Sequence, residues 1–291
     1  MKKLTIPVHE TQVQLKEVVT PGAAPPGYVY LYPKADGKLY SRDDTRVEYP
    51  IQPGLHGNTI MFISNSAGAA APNVIGGTIT ASPTISSVQT IASANPWLAT
   101  FHRRFTSAAT AGSLTGMRTA YTQWFRGSAT GFGGFYFSAE LGHGTNLNGA
   151  QAFVGLCAST VGLATTAGSV AALLTMIGMG YDTTDANTGN WFLYRNDGTG
   201  TATKVDLGTS AARANTTHGY DLTIYCPPGA STQIYVKIVN IHTGATILDT
   251  NYTTDLPAVN TGMAFKAESN NGAVAASSVL DVGKVYIETD Y

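Results

Sequence analysis

Seven carboxylates, Glu140, Asp182, Asp185, Asp197, Asp206, Asp221 and Glu268, are the candidates for acid–base work in this sequence. Cleaving a glycosidic bond requires two of them to converge from different elements, about 5–9.5 Å apart. Nothing in their spacing brings two together, and most stand in turn contexts. The loop YDTTDANTG at 181–189 places oxygen-bearing side chains at near-alternating positions, as a calcium loop does. It lacks the downstream bidentate Glu of an EF-hand, and Asp and Asn also populate ordinary loops by bonding their own backbone. The six histidines show no metal-ligand spacing, and His102, His143 and His218 read as surface or loop residues. No serine sits in a G-x-S-x-G elbow. The expectation is therefore no catalytic residue, no metal and no cofactor, in a protein that is not an enzyme.

Sugar binding asks for less. Carbohydrate C–H faces stack on exposed aromatic rings while Asn, Asp and Thr satisfy the hydroxyls, and no titrating group is needed. The stretch 182–191 supplies those types, and Asp182, Asp185, Asn187, Asn190 and Trp191 are the candidate glycan-binding loop, although tryptophan is more often a core residue. Asn146–Asn148 after His143 offers similar chemistry.

The elements that would position these groups read as strands. Asn196-Asp197-Gly198 lies between the aromatic run 191–195 and the run 202–207, and an Asp-Gly pair between β-prone runs is a strong hairpin signal. Short strand-like runs recur from residue 85 to the end with turn signals between them, which argues for an all-β sandwich or barrel. In 233–241, Ile234, Val236 and Ile238 share one face while Tyr235, Lys237 and Val239 share the other. Residues 118–125 are among the expected strands. Only 162–175 reads otherwise, as a short Ala-rich helix capped near Ser169.

The first 57 residues form an expected extended arm and hairpin, with Tyr28, Tyr30 and Tyr32 on one face and a turn at Ala35-Asp36-Gly37-Lys38. A lone hairpin is marginal in water, so it needs a neighbour. Residues 58–84, rich in Gly, Ala and Pro, read as a linker, within which 59–64 and 74–79 could each form an edge strand.

With 12% charged residues and a net charge of -1 over 291 residues, the chain carries its polarity on Thr, Ser, Asn and Gly. Its densest basic cluster is His102-Arg103-Arg104, too little for a nucleic-acid surface. Cys157 and Cys226 are expected as reduced core residues. Neither a signal-peptide h-region nor an apolar run of about 18 residues is evident, so membrane insertion is not expected.

Two motifs carry a resemblance. GYDTTDANTGNWFLYRNDGTGTATKVDLG followed by YDLTIYCPPG resembles a lectin-like module at the ends of tailed-bacteriophage tail fibres, and PPGYVYLYPKADGKLYSRDDT at 25–45 resembles a short virion-docking hairpin. Together they cover about half of the chain. The resemblance implies a jelly-roll (concanavalin-like) antiparallel β-sandwich at 85–291 and docking to other virion proteins through Tyr28, Tyr30, Tyr32, Leu39 and Tyr40. It also implies a homotrimer that attaches to a host-surface glycan or receptor, and a chain made in the host cytoplasm, released by lysis and carried on the virion. A capsid decoration or head-fibre protein is the alternative, and a glycan depolymerase the third.

Overall fold

A computed structural model of the chain describes residues 16, 21–33, 39–42, 48–50, 59–64, 73–75, 79–81, 84–127, 133–229 and 232–289. The chain divides into two compact units, Met1–His56 and Gly57–Tyr291.

In the first unit, Pro25-Pro26-Gly27 makes a turn closed by Tyr28 N donating to Pro25 O at 3.0 Å, with Gly27 at φ 79°. Three antiparallel strands follow in the order β1 (Tyr30–Pro33), β2 (Leu39–Arg42), β3 (Glu48–Pro50). The expected hairpin thus carries a third strand. Tyr32 and Tyr40 are direct cross-strand partners, both buried, with ring centroids 6.2 Å apart. They stack on each other within the unit. Tyr28, Val29, Tyr30 and Leu31 are exposed, and Leu39 is half-buried.

The second unit contains strands β4 (Thr59–Ser64), β5 (Asn73–Ile75), β6 (Ile79–Ala81), β7 (Ile85–Val88), β8 (His102–Thr106), β9 (Leu114–Thr119), β10 (Phe135–Thr145) and β11 (Gln151–Cys157). It continues with β12 (Met176–Tyr181), β13 (Phe192–Asn196), β14 (Thr203–Asp206), β15 (Gly219–Cys226), β16 (Ile234–Asn240), β17 (Thr246–Tyr252), β18 (Ala264–Asn270) and β19 (Val279–Thr289). One short helix, α1 (Pro96–Ala99), precedes β8. The large sheet runs β17-β16-β15-β10-β19-β4-β5, with β8 also on β19 and β7 on β8; the facing sheet runs β14-β13-β12-β11-β18-β9-β6. Every pairing is antiparallel.

Alternation decides what lies between the sheets. Phe137, Ala139 and Leu141 on β10, Leu222 and Ile224 on β15, Val236 and Ile238 on β16, and Val285 and Ile287 on β19 point inward. They meet Val154 and Leu156 on β11, Met179 on β12, Leu193 on β13 and Phe265 on β18. Both cysteines are buried free thiols, and burial pushes Cys157 up to about 11 and Cys226 up to about 12.

The facing sheet is buried on its outer side as well. All seven residues of β11 and all six of β12 are buried, the near-continuous apolar reading that a strand covered on both faces requires. Residues 158–175 form the cover, with Leu163, Val170, Ala171 and Leu173 packed over Phe153, Cys157, Met176, Phe192 and Tyr194.

Three sequence expectations are corrected. The segment 162–175 is a run of turns, not a helix: Gly168 has φ 83°, and Asp182 accepts from the backbone of Gly168 at 2.7 Å and Val170 at 2.8 Å, taking up N–H groups that a helix would use internally. Residues 58–84 are no linker, because β4 and β5 pair into the large sheet and β6 into the facing one. The strand expected at 118–125 ends at Thr119, and Trp124 makes only an isolated bridge to Met263.

Candidate functional site

The outer face of the large sheet is built by the residues that alternate with the core positions. They line up in three cross-strand rows. The first joins Tyr235, Tyr225, Tyr136 and Glu288. The second joins Asp249, Lys237, Thr223, Ser138 and Tyr286. The third sets Val239, Asp221 and Glu140 side by side. All the tyrosines in these rows are half-buried.

Side chains within the rows hold one another. Tyr235 Oη donates to Asp249, Lys237 lies 3.5 Å from Asp249, and Tyr286 Oη donates to Glu288 at 2.7 Å. The Tyr136 and Tyr286 rings tilt against each other at 6.1 Å. Burial raises the hydroxyl pKa of both.

A β-bulge completes the third row. Ala139 pairs with Val285 and Leu141 with Val282, so Gly283 and Lys284 together oppose Glu140. A Cβ on Gly283 would sit 2.7 Å from Glu140 Cβ, which the backbone fixes, so the close approach needs glycine. Lys284 Nζ lies 3.2 Å from Glu140 Oε1 and 3.7 Å from Asp221 Oδ2. Burial raises the Asp221 carboxyl, the Glu140 charge adds to the rise, and Lys284 opposes it. For Lys284, burial pulls downward, but Asp221 and Glu140 outweigh it and hold the ammonium above its usual value. Two facing carboxylates are the kind of pair that acid–base cleavage of a glycosidic bond uses. Here both already hold the same ammonium.

Beyond the third row the face is closed. Gly142 and Gly219 are cross-strand partners, and a Cβ on either would meet the Trp97 ring, at 3.1 Å and 2.1 Å. The two glycines form a slot that the fully buried indole fills. Trp97 is aimed there by α1, which Asn95 caps by accepting from Trp97 N at 3.0 Å. His102 stacks on the indole with centroids 4.2 Å apart. Asp281 accepts two bonds from Arg104, at 2.8 Å and 2.7 Å, and lies 3.7 Å from His102 Nε2. Burial lowers the His102 pKa despite Asp281.

The residues expected to form a sugar loop lie elsewhere, between β12 and β13. Trp191 is fully buried, edge-on to Tyr181 at 4.8 Å, so its ring offers no platform. Asp182 holds the cover segment. Asp185 accepts from Tyr194 Oη and pairs with Lys204 at 2.8 Å, and Asn190 donates to Asp206 at 2.7 Å. Asn187 is exposed, and its side chain accepts from Gly189 N at 3.1 Å. The loop is held by its own bonds, and of the five residues expected to meet a glycan only Asn187 is exposed. Among the seven candidate carboxylates, Glu268 is buried against Lys266 and Arg118. Glu140 and Asp221 are the two brought face to face from distant strands. Alternation marks both as outward-facing, but which strands adjoin is not written locally. Among the described residues, no three His, Cys, Asp or Glu side chains gather as a metal ion would need.

No family model matches the chain, and no curated protein matches its sequence. Solved structures do. The lectin UEA-II, crystallised with galactose, is similar with a TM-score of 0.51 and 13% identity over 81% of this chain and 100% of that one. The fold is a lectin-type β-sandwich. A protein of unknown function from Shewanella oneidensis MR-1 is similar with a TM-score of 0.48 and 12% identity, over 82% of this chain and 90% of that one. So is a carbohydrate esterase from the Shiga toxin-encoding bacteriophage phi24B, with a TM-score of 0.41 and 13% identity over 74% and 91% of the two chains.

The expectation that the chain is not an enzyme is corrected by these neighbours, which include that esterase and an alginate lyase (TM-score 0.37, 13% identity, 64% of this chain and 80% of that one). At this likeness the two assign the chain no reaction.

Proposed function

We propose that the chain is an attachment protein of a tailed bacteriophage, in which the β-sandwich binds a surface glycan through the three-row face of its large sheet. The observation that carries the reading is the alignment of Tyr235, Tyr225 and Tyr136 in one row, with Lys237, Thr223 and Ser138 in the next and Glu140, Asp221 and Lys284 in the row after that. Tyrosine faces stack on the C–H faces of sugars, and charged oxygens and nitrogens next to them satisfy hydroxyls with hydrogen bonds stronger than neutral ones. The lectin-type fold supports the same reading.

In this proposal the first unit docks the protein on the virion. The exposed Tyr28 and Val29 just before the edge strand β1, with the exposed Tyr30 and Leu31 on it, supply the contact. The motif at 25–45 and its likeness to docking hairpins support that role. A homotrimer would multiply weak sites by avidity.

Two experiments test the two halves. Full-length protein and Tyr225→Ala are applied to an array of bacterial polysaccharides, and the variant is expected to lose most of the retained signal. Equal retention by both, or retention of no glycan, removes the binding half. Immunogold labelling of intact virions tests the other half: gold at the tail supports it, gold spread over the head points to decoration, and bare particles remove it.

A further inference from the structure

The repeat of the three-row face has a direction. Its tyrosines recur from strand to strand, Tyr235 on β16, Tyr225 on β15 and Tyr136 on β10, with the polar Lys237, Thr223 and Ser138 on the same strands alongside. Neighbouring strands lie about 4.8 Å apart. In an extended chain of 1,4-linked pyranoses the repeat is one ring plus its bridging oxygen, a length comparable to that spacing. A polymer laid across the strands would therefore meet one tyrosine per residue.

Charge narrows the class further. The three rows hold four carboxylates, Glu140, Asp221, Asp249 and Glu288, against two ammonium groups, Lys237 and Lys284. Each ammonium is already paired with a carboxylate, and Lys284 serves two of them. A polyanion would find no uncommitted cation in these rows and would face a net negative field.

Resting on the reading of this face as the glycan site, we infer that its ligand is an interior stretch of an uncharged, extended polysaccharide, at least three residues long, lying across β16, β15 and β10. The groups that recognise it repeat instead of converging, so a single terminal sugar engages a third of the surface.

The test uses the full-length protein and the polysaccharide most strongly retained on the array, hydrolysed and sized into oligomers of one to six residues as competitors. Competition is expected to strengthen roughly three- to ten-fold per added residue up to three, as each residue gains a tyrosine face, and then to flatten. Tyr235→Ala and Tyr136→Ala, checked for an unchanged unfolding transition, should each shorten that rise by one residue. A monosaccharide that competes as well as the hexamer overturns the inference and leaves glycan binding intact. Selective retention of uronate-bearing or sulfated polysaccharides overturns it equally. An array that retains nothing removes the binding reading itself, and this inference with it.

Discussion

Lowering the pH from 7.5 to 4.5 tests how the closed end of the sandwich is held together. His143 on β10 is buried, its Nε2 against the carbonyl of Arg213 and its ring 5.4 Å from Trp191 and 6.0 Å from Tyr181. Arg213 is itself buried, its guanidinium 3.9 Å from the Tyr181 ring centroid. Burial, with the Arg213 charge adding to it, lowers the imidazole pKa from 6.5 to about 4, against the opposing pull of the Arg213 carbonyl and Asp281. Because the folded value lies below the unfolded one, the unfolded chain takes up the proton first as pH falls. The stability is present above about pH 6.5 and drains away toward pH 4. Between those values the loss is about 1.4 kcal/mol per pH unit, which comes to about 2.5 kcal/mol at pH 4.5. Urea unfolding followed by tryptophan fluorescence at the two pH values measures it. His143→Gln keeps a donor for the Arg213 carbonyl and removes the titration, so its stability should fall less over the same interval, by roughly that 2.5 kcal/mol. If the variant and the parent lose the same amount, His143 is not the group that senses acid, and the argument from its burial fails.

Three further perturbations follow from the geometry. Gly219→Ala places a Cβ 2.1 Å from the Trp97 ring, so the indole must leave its slot; a loss of about 1–3 kcal/mol is expected in urea unfolding. Asp182→Ala strips two backbone N–H groups of their acceptor and should loosen the 158–175 cover, read as faster proteolysis or amide exchange there, at a cost of about 1–3 kcal/mol. Glu140→Gln removes the like charge that faces Asp221, and the Asp221 carboxyl should then titrate at lower pH in a carbon-detected NMR titration; an unmoved midpoint would mean that the two do not interact.

The all-β class is legible because alternation is local. Ile234, Val236 and Ile238 announce a half-buried strand without reference to any partner, and the structure buries those three. What is not local is adjacency. Glu140 and Asp221 meet because β10 pairs with β15, a fact no spacing along the chain encodes. Trp191 stands next to a polar loop in sequence, yet its position places the ring between the sheets. The Ala-rich run at 162–175 has helical propensity, which tertiary bonds to Asp182, Glu268 and Asn270 override. In the Gly- and Ala-rich stretch before residue 85, 59–64 is legible as a strand and forms β4, whereas the three-residue β5 and β6 are too short to carry an alternation of their own, and their pairing draws on backbone groups that every residue carries.

The division of labour along β10, β15 and β16 has a consequence for how such a protein changes over time. On these strands every second residue builds the interior and the intervening ones build the outer rows, so the two sets hardly touch. In the proposed glycan-binding role, substitutions at Tyr136, Thr223, Tyr225, Tyr235 or Lys237 would change what is recognised and leave the interior set in place. The facing sheet has no such latitude, because its outer side chains, Lys266 and Glu268 among them, are locked beneath the cover. Tolerance for substitution therefore lies on one side of the second unit, whose framework can stay fixed while that side changes.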